Sequence, residues 1–251
     1  MVAGYAPSGA LVLRYAVEED PEWFLEDEDV PETTLHDRVL ELLVLVLRRW
    51  VAATGRDALV ARNLGCRWKP SDARVGMDPD VCLIEPRPPG AEALTTLRVW
   101  EPGHAPPRLA VEVVSEDSGD KDYANAPLRA ARLGIEELWV FDPLGVGSKT
   151  MGGPFPLQVW RREDGEVPGM ARVYAGDGPA FSPALGAWAV LTEGGRRLRV
   201  ADDPPGRALW PTEAEAEGHR AEAESRRAEA ESRRAEAESR RAEAESRRAE
   251  A

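Results

Sequence analysis

The chain has 251 residues, 43% of them hydrophobic and 31% charged, with a formal net charge of −13. This composition supports one sizeable packed domain with an appendage and excludes disorder throughout. The acidic balance argues against non-specific nucleic-acid binding, and neither a membrane span nor a secretory signal is visible, so a soluble cytoplasmic protein is expected.

The first clear element is a helix from Leu35 to Ala53, with Thr34 and Asp37 as a capping signal. Leu35, Val39, Leu42, Leu43, Val46 and Trp50 form one apolar stripe, while Leu40, Val44, Leu45 and Val51 make the remaining faces apolar too. Such a helix is sandwiched or lies at an interface, and a homodimer through it is the expected assembly. Short β-like runs separated by Gly and Pro follow, at Ala58 to Ala61, Val81 to Glu85, Thr95 to Trp100, Leu109 to Val114 and Leu138 to Phe141. Between the last two, Ala126 and Pro127 mark a helix start and Gly134 its end, which makes a strand–helix–strand crossover. From Leu157 the strands look antiparallel, with turns at Asp164–Gly165 and Gly194–Gly195. The fold class expected is α/β with a mixed sheet.

Pro204, Pro205 and Gly206 separate a body, residues 1–205, from a tail, residues 206–251. Thr212 is placed to cap a long helix. Ala221 to Arg227 reads AEAESRR and recurs in register to the last residue. Ala, Glu and Arg favour helix, and Glu222–Arg226 and Arg227–Glu231 are i,i+4 pairs worth roughly 0.3 kcal/mol each. The only uncharged 4-3 seam is Ala221, Ser225, Ala228, Ser232 and onward. Such small groups bury little area, so a solvated single helix is favoured over a coiled coil. Glu213 to Ala251 holds 12 Glu and 9 Arg, a net charge of −3, which leaves −10 on residues 1–212.

Most catalytic patterns are missing. Cys66 and Cys82 give neither a disulfide framework nor a metal spacing. His36, His104 and His219 are scattered. The glycines near Gly145 and Gly147 precede no phosphate-binding motif, and Ser115 has no histidine at a plausible partner position. Acidic residues at strand ends remain. Asp80 stands at the mouth of DPDVCLIEP, and Glu112 sits inside LAVEVVS. By alternation Glu112 shares a strand face with Ala110 and Val114, where a carboxylate is costly unless paired, hydrogen-bonded or bound to a cation. Two readings stay open: a Glu bonded to a nearby Arg or backbone amide, or an oxygen site with Asp80 suited to Mg²⁺.

The run LAVEVVSEDSGDKDYANAPLRAARLGIEELWVFDP, with DPDVCLIEP upstream, resembles the Uma-two family of restriction endonucleases, within the PD-(D/E)XK nuclease superfamily. The helix beginning with His36 and the stretch ALGAWAVLTEGGRRLRVADDP match as well. The resemblance implies a restriction-endonuclease-like mixed sheet flanked by helices. It also implies a nuclease using Mg²⁺ or Mn²⁺ on DNA, with Asp80 and Glu112 as metal ligands. The position that is Lys in many superfamily members is Val114 here, and Ala126 stands where many relatives carry a lysine. Of the three lysines, Lys69, Lys121 and Lys149, only Lys121 lies within ten residues of Glu112. It is expected on the loop before the helix as the catalytic cation. The alternative is a degenerate nuclease fold serving as a binding or assembly module through its tail.

Overall fold

In the computed structural model, residues 14–16, 34–115, 119–163 and 169–249 are described. Strand β1 is Arg14–Ala16, and the first helix is α1, Thr34–Thr54. Strands β2 (Leu59–Arg62), β3 (Gly65–Arg67), β4 (Gly76–Met77), β5 (Val81–Ile84), β6 (Thr96–Arg98) and β7 (Leu109–Val113) follow. Helix α2 (Gly119–Leu133) then leads to β8 (Glu137–Phe141), β9 (Leu157–Glu163), β10 (Gly169–Gly176), β11 (Ala180–Ser182), β12 (Ala187–Thr192) and β13 (Arg197–Ala201). The last element is α3, Glu213–Ala249.

The main sheet has seven strands in the order β1-β10-β9-β8-β7-β5-β2. Only β7 and β8 run parallel in it, joined by α2 as the apolar runs and Gly134 predict. The class is α/β. Alternation along β7 sends Val111 and Val113 to one face and Ala110 and Val114 to the other. α1 packs on the first face and α2 on the second.

A second sheet, β11-β12-β13, explains why α1 is apolar on nearly every side. Val39, Leu40, Leu43, Val44, Val46, Leu47 and Trp50 are buried in one core with Leu83, Val111 and Trp139 of the main sheet and Ala187, Ala189, Leu198 and Val200 of the small one. The helix is sandwiched inside its own chain. Leu45 is its one large apolar residue left exposed among the described ones. A third small sheet, β4-β3-β6, covers the α2 side, with β3 and β6 parallel.

Four local expectations change. α2 starts at Gly119, so Pro127 lies inside it rather than near its start, and Lys121 belongs to its first turn rather than to a preceding loop. Residues 119–125 extend the helix upstream, and Pro127 forfeits only the bond its missing N–H would make to Tyr123. Asp37 pairs with Arg62 on β2 instead of serving only the helix end. Residues 206–210 join the first compact unit, Met1–Trp210. There Leu209 bridges Ala201, the Arg199 guanidinium donates to the Trp210 carbonyl at 2.9 Å, and the Trp210 ring stacks on Trp50 at 5.5 Å. The predicted turn at Asp164–Gly165 lies outside the described residues.

The second unit, Pro211–Ala251, contains α3. Thr212 and Glu215 form a reciprocal capping box, with the Thr212 N–H donating to Glu215 Oε2 at 2.7 Å and the Glu215 N–H to Thr212 Oγ1 at 3.2 Å. Arg226–Glu222, Arg233–Glu229 and Arg240–Glu236 pair one turn apart, and every described side chain from Glu217 on is exposed.

Candidate active site

Asp80 and Glu112 lie at the same end of neighbouring strands of the main sheet. β5 and β7 are antiparallel, with Val81 opposite Val111 and Cys82 opposite Ala110. One step further along this register Asp80 stands opposite Glu112. Asp80 is tied down by the neighbouring strand, because the Val113 N–H donates to its Oδ2 at 2.7 Å. The other acid of the DPD run is committed elsewhere: Asp78 accepts from the Arg67 guanidinium at 2.5 Å. Glu112 is half-buried between the buried Ala110 and Val114, on the face that α2 covers.

A third side chain arrives from the opposite face of the sheet. His36, in the first turn of α1, places Nε2 3.2 Å from the Val113 carbonyl oxygen and 3.4 Å from Asp80 Oδ2. Its side chain is 11% exposed and that of Asp80 18%. In the sequence His36 had no role beyond opening a helix that the family resemblance covers. Nothing in the spacing from 36 to 80 or 113 announces contact.

Next to β7, the end of β8 carries a buried carboxylate. Asp142 Oδ1 accepts the N–H groups of Gly145 and Val146 at 2.7 and 3.1 Å, and Oδ2 accepts that of Gly147 at 2.8 Å. The Tyr123 hydroxyl of α2 donates at 3.1 Å to Asp142 Oδ2 or to the Phe155 carbonyl, and accepts the Phe155 N–H at 2.9 Å. Burial pushes the Tyr123 phenol well above its usual range, so it stays protonated. Asp142 organises the loop that follows β8 and has no spare oxygen for chemistry. It is more than the strand-ending turn that Asp-Pro suggests, and the hint was the D-P-x-G-x-G pattern, with flexible glycines beside a short acceptor.

A family model described as "Putative restriction endonuclease", Uma2, matches residues 21–166. The chain belongs to the Uma2 family. Among solved structures it is similar to that of "a putative nuclease belonging to DUF820 from Anabaena variabilis", at 17% identity and a TM-score of 0.43, over 62% of this chain and 75% of that one. No curated protein matches.

Within this Uma2 chain Val114 and Ala126, the two positions singled out for a missing lysine, are both buried. Val114 is 1% exposed and its N–H is spent on the Phe141 carbonyl at 2.8 Å, while Ala126 packs in the same core. Lys121 is placed on the first turn of α2 by its backbone, and its side chain lies outside the described residues. Cys66 and Cys82 are buried free thiols, and the Cys82 side chain, then burial, push the Cys66 thiol up, away from the reactive thiolate. No helix of the described residues is long and apolar enough to cross a membrane.

The donor set suits a hard cation. Asp80 and Glu112 offer carboxylate oxygens from adjacent strands, and Asp80 keeps Oδ1 clear of hydrogen bonds from described residues. Among the described residues no cluster of three His, Cys, Asp or Glu surrounds a common point.

Proposed function

We propose that the protein is a Mg²⁺- or Mn²⁺-dependent endonuclease that hydrolyses DNA phosphodiester bonds, with Asp80 and Glu112 as the metal ligands. The observation that carries the reading is the register of β5 on β7, which sets these two acids opposite each other at one sheet end in a member of the Uma2 family. When bound, the divalent cation activates water and offsets charge gathering on the scissile phosphate. The protein supplies the frame. The Val113 amide fixes the Asp80 carboxylate, Glu112 is stiffened by a strand paired on both sides, and α2 shields the site from one face. Lys121, at the start of α2, is the cation proposed to orient the attacking water and stabilise the transition state.

Val114 and Ala126 give weight to a second reading, a nuclease fold that has lost its activity and serves as a binding or assembly module. One experiment separates the two. Mn²⁺ titration by calorimetry, run beside plasmid nicking, should show binding and cleavage in the parent and loss of both in Asp80→Asn and Glu112→Gln. Metal binding without nicking would favour the degenerate module. A parent that binds no metal would remove Asp80 and Glu112 as ligands.

A further inference from the structure

We propose that His36 is a positioning residue for the cation site, holding Asp80 and the Val113 backbone in one orientation from the far side of the sheet. This rests on the reading of Asp80 and Glu112 as metal ligands and assigns that site a supporting residue.

The geometry points to a shared donor. His36 Nε2 lies 3.2 Å from the Val113 carbonyl oxygen and 3.4 Å from Asp80 Oδ2. The same Asp80 oxygen already accepts the Val113 N–H at 2.7 Å. With a proton on Nε2, the His36 ring joins a small ring of groups: the Val113 amide, Asp80 Oδ2, the imidazole and the Val113 carbonyl. Both peptide groups of Val113 are involved, and Val113 is the neighbour of Glu112 in β7. One ring thus reaches the first carboxylate directly and the strand bearing the second.

The arrangement also divides the labour within Asp80. Oδ2 accepts the Val113 N–H and lies 3.4 Å from His36 Nε2, and Oδ1 takes no hydrogen bond from a described residue. A carboxylate pinned through one oxygen can turn only about that anchor, so the other oxygen is offered to a cation in a fixed direction. Groups that orient a metal ligand from behind change affinity by about ten- to a hundredfold when they are lost. α1 provides a firm base for the ring, because Val39, Leu40 and Leu43 in the next turns are buried in the core. A polar side chain 11% exposed at that place has lost most of its water and needs these acceptors.

The test uses the full chain and Mn²⁺ as the probe, titrated by calorimetry, with metal-free unfolding midpoints measured on the same samples. His36→Leu should weaken Mn²⁺ by about ten- to a hundredfold. His36→Gln, whose amide nitrogen reaches the place of Nε2, should bind as the parent does. His36→Asn has an amide that stops short of that place and should lose affinity as Leu does, which covers the case of a poorly folded Leu variant. Rescue by Gln with equal midpoints for Gln and Asn marks positioning rather than bulk stability. If the parent and Glu112→Gln differ in Mn²⁺ affinity but His36→Leu and His36→Asn match the parent, the role of His36 is refuted and the site stands. Equal loss in Gln and Asn also refutes it. If the parent binds no Mn²⁺, the metal reading of Asp80 and Glu112 fails and this inference goes with it.

Discussion

Replacing Asp142 by Ala removes one carboxylate that serves four donors, and the cost follows from where those donors end up. Gly145 and Val146 sit on the exposed part of the loop, so their N–H groups find water once the carboxylate is gone. The Tyr123 hydroxyl retains the Phe155 carbonyl as an acceptor. Gly147 is buried and its N–H is stranded, at about 1–3 kcal/mol for an unsatisfied buried donor. The two exposed bonds to a charged acceptor add about 1 kcal/mol each after exchange with water, and release of a 2% exposed carboxylate from burial returns part of the total. A net loss of about 3 kcal/mol results, equivalent to roughly 6–12 °C in Tm for a body of this size. Asp142→Asn should lose less, about 2 kcal/mol, because one oxygen survives while the new amide points its hydrogens at N–H donors. Urea unfolding followed by fluorescence of the eight tryptophans measures both. A loss below about 1 kcal/mol for Asp142→Ala, with an unchanged m-value, would refute the claim that this carboxylate holds the loop.

Other outcomes follow from the same geometry. Lys121→Ala should slow DNA cleavage by about a hundredfold or more while leaving Mn²⁺ affinity nearly unchanged, and an unaltered single-turnover rate would move suspicion to the arginines of α2. Burial raises the Glu137 carboxyl above its usual 4.5, against the opposing bonds from Ser182, Trp139 and Arg161. The folded state then holds a proton the unfolded chain releases, so this contribution is fully present below pH 4.5 and is lost as pH rises through the raised value. Glu137→Gln should flatten that fall, and parallel pH profiles of the urea midpoint would contradict it. Gly76→Ala would set a Cβ 2.4 Å from the Cys66 carbonyl oxygen and should cost about 1–3 kcal/mol, seen as a lower Tm. Truncation after Gly218 should change the unfolding midpoint of the first unit by less than about 0.5 kcal/mol, because the described side chains beyond it are all exposed.

How much of this was legible beforehand depends on whether the signal was local. The β7–α2–β8 unit announced itself, since an apolar run, a helix ended by Gly134 and a second apolar run are neighbours in the chain. The apolar circumference of α1 was equally plain, but its partner was not. A second copy and the later β11–β13 sheet satisfy the same stripe, and only the folded chain chooses between them. The β4-β3-β6 sheet escaped because its strands span two or three residues and pair across long separations, Gly65 with Thr96 for instance. In the site, Asp80 and Glu112 stood out as acids in apolar runs. His36 did not, for its acceptors lie 44 and 77 positions away.

The capped, solvent-facing α3 has a consequence for how its gene can change. Each AEAESRR copy brings its own Glu–Arg pair, and none of the described copies buries a side chain. Gain or loss of one seven-residue copy alters helix length by about 10 Å and removes no buried side chain among the described copies. The repeat number of such a segment can change at little cost in folding, while the Thr212–Glu215 capping box defines where the helix begins.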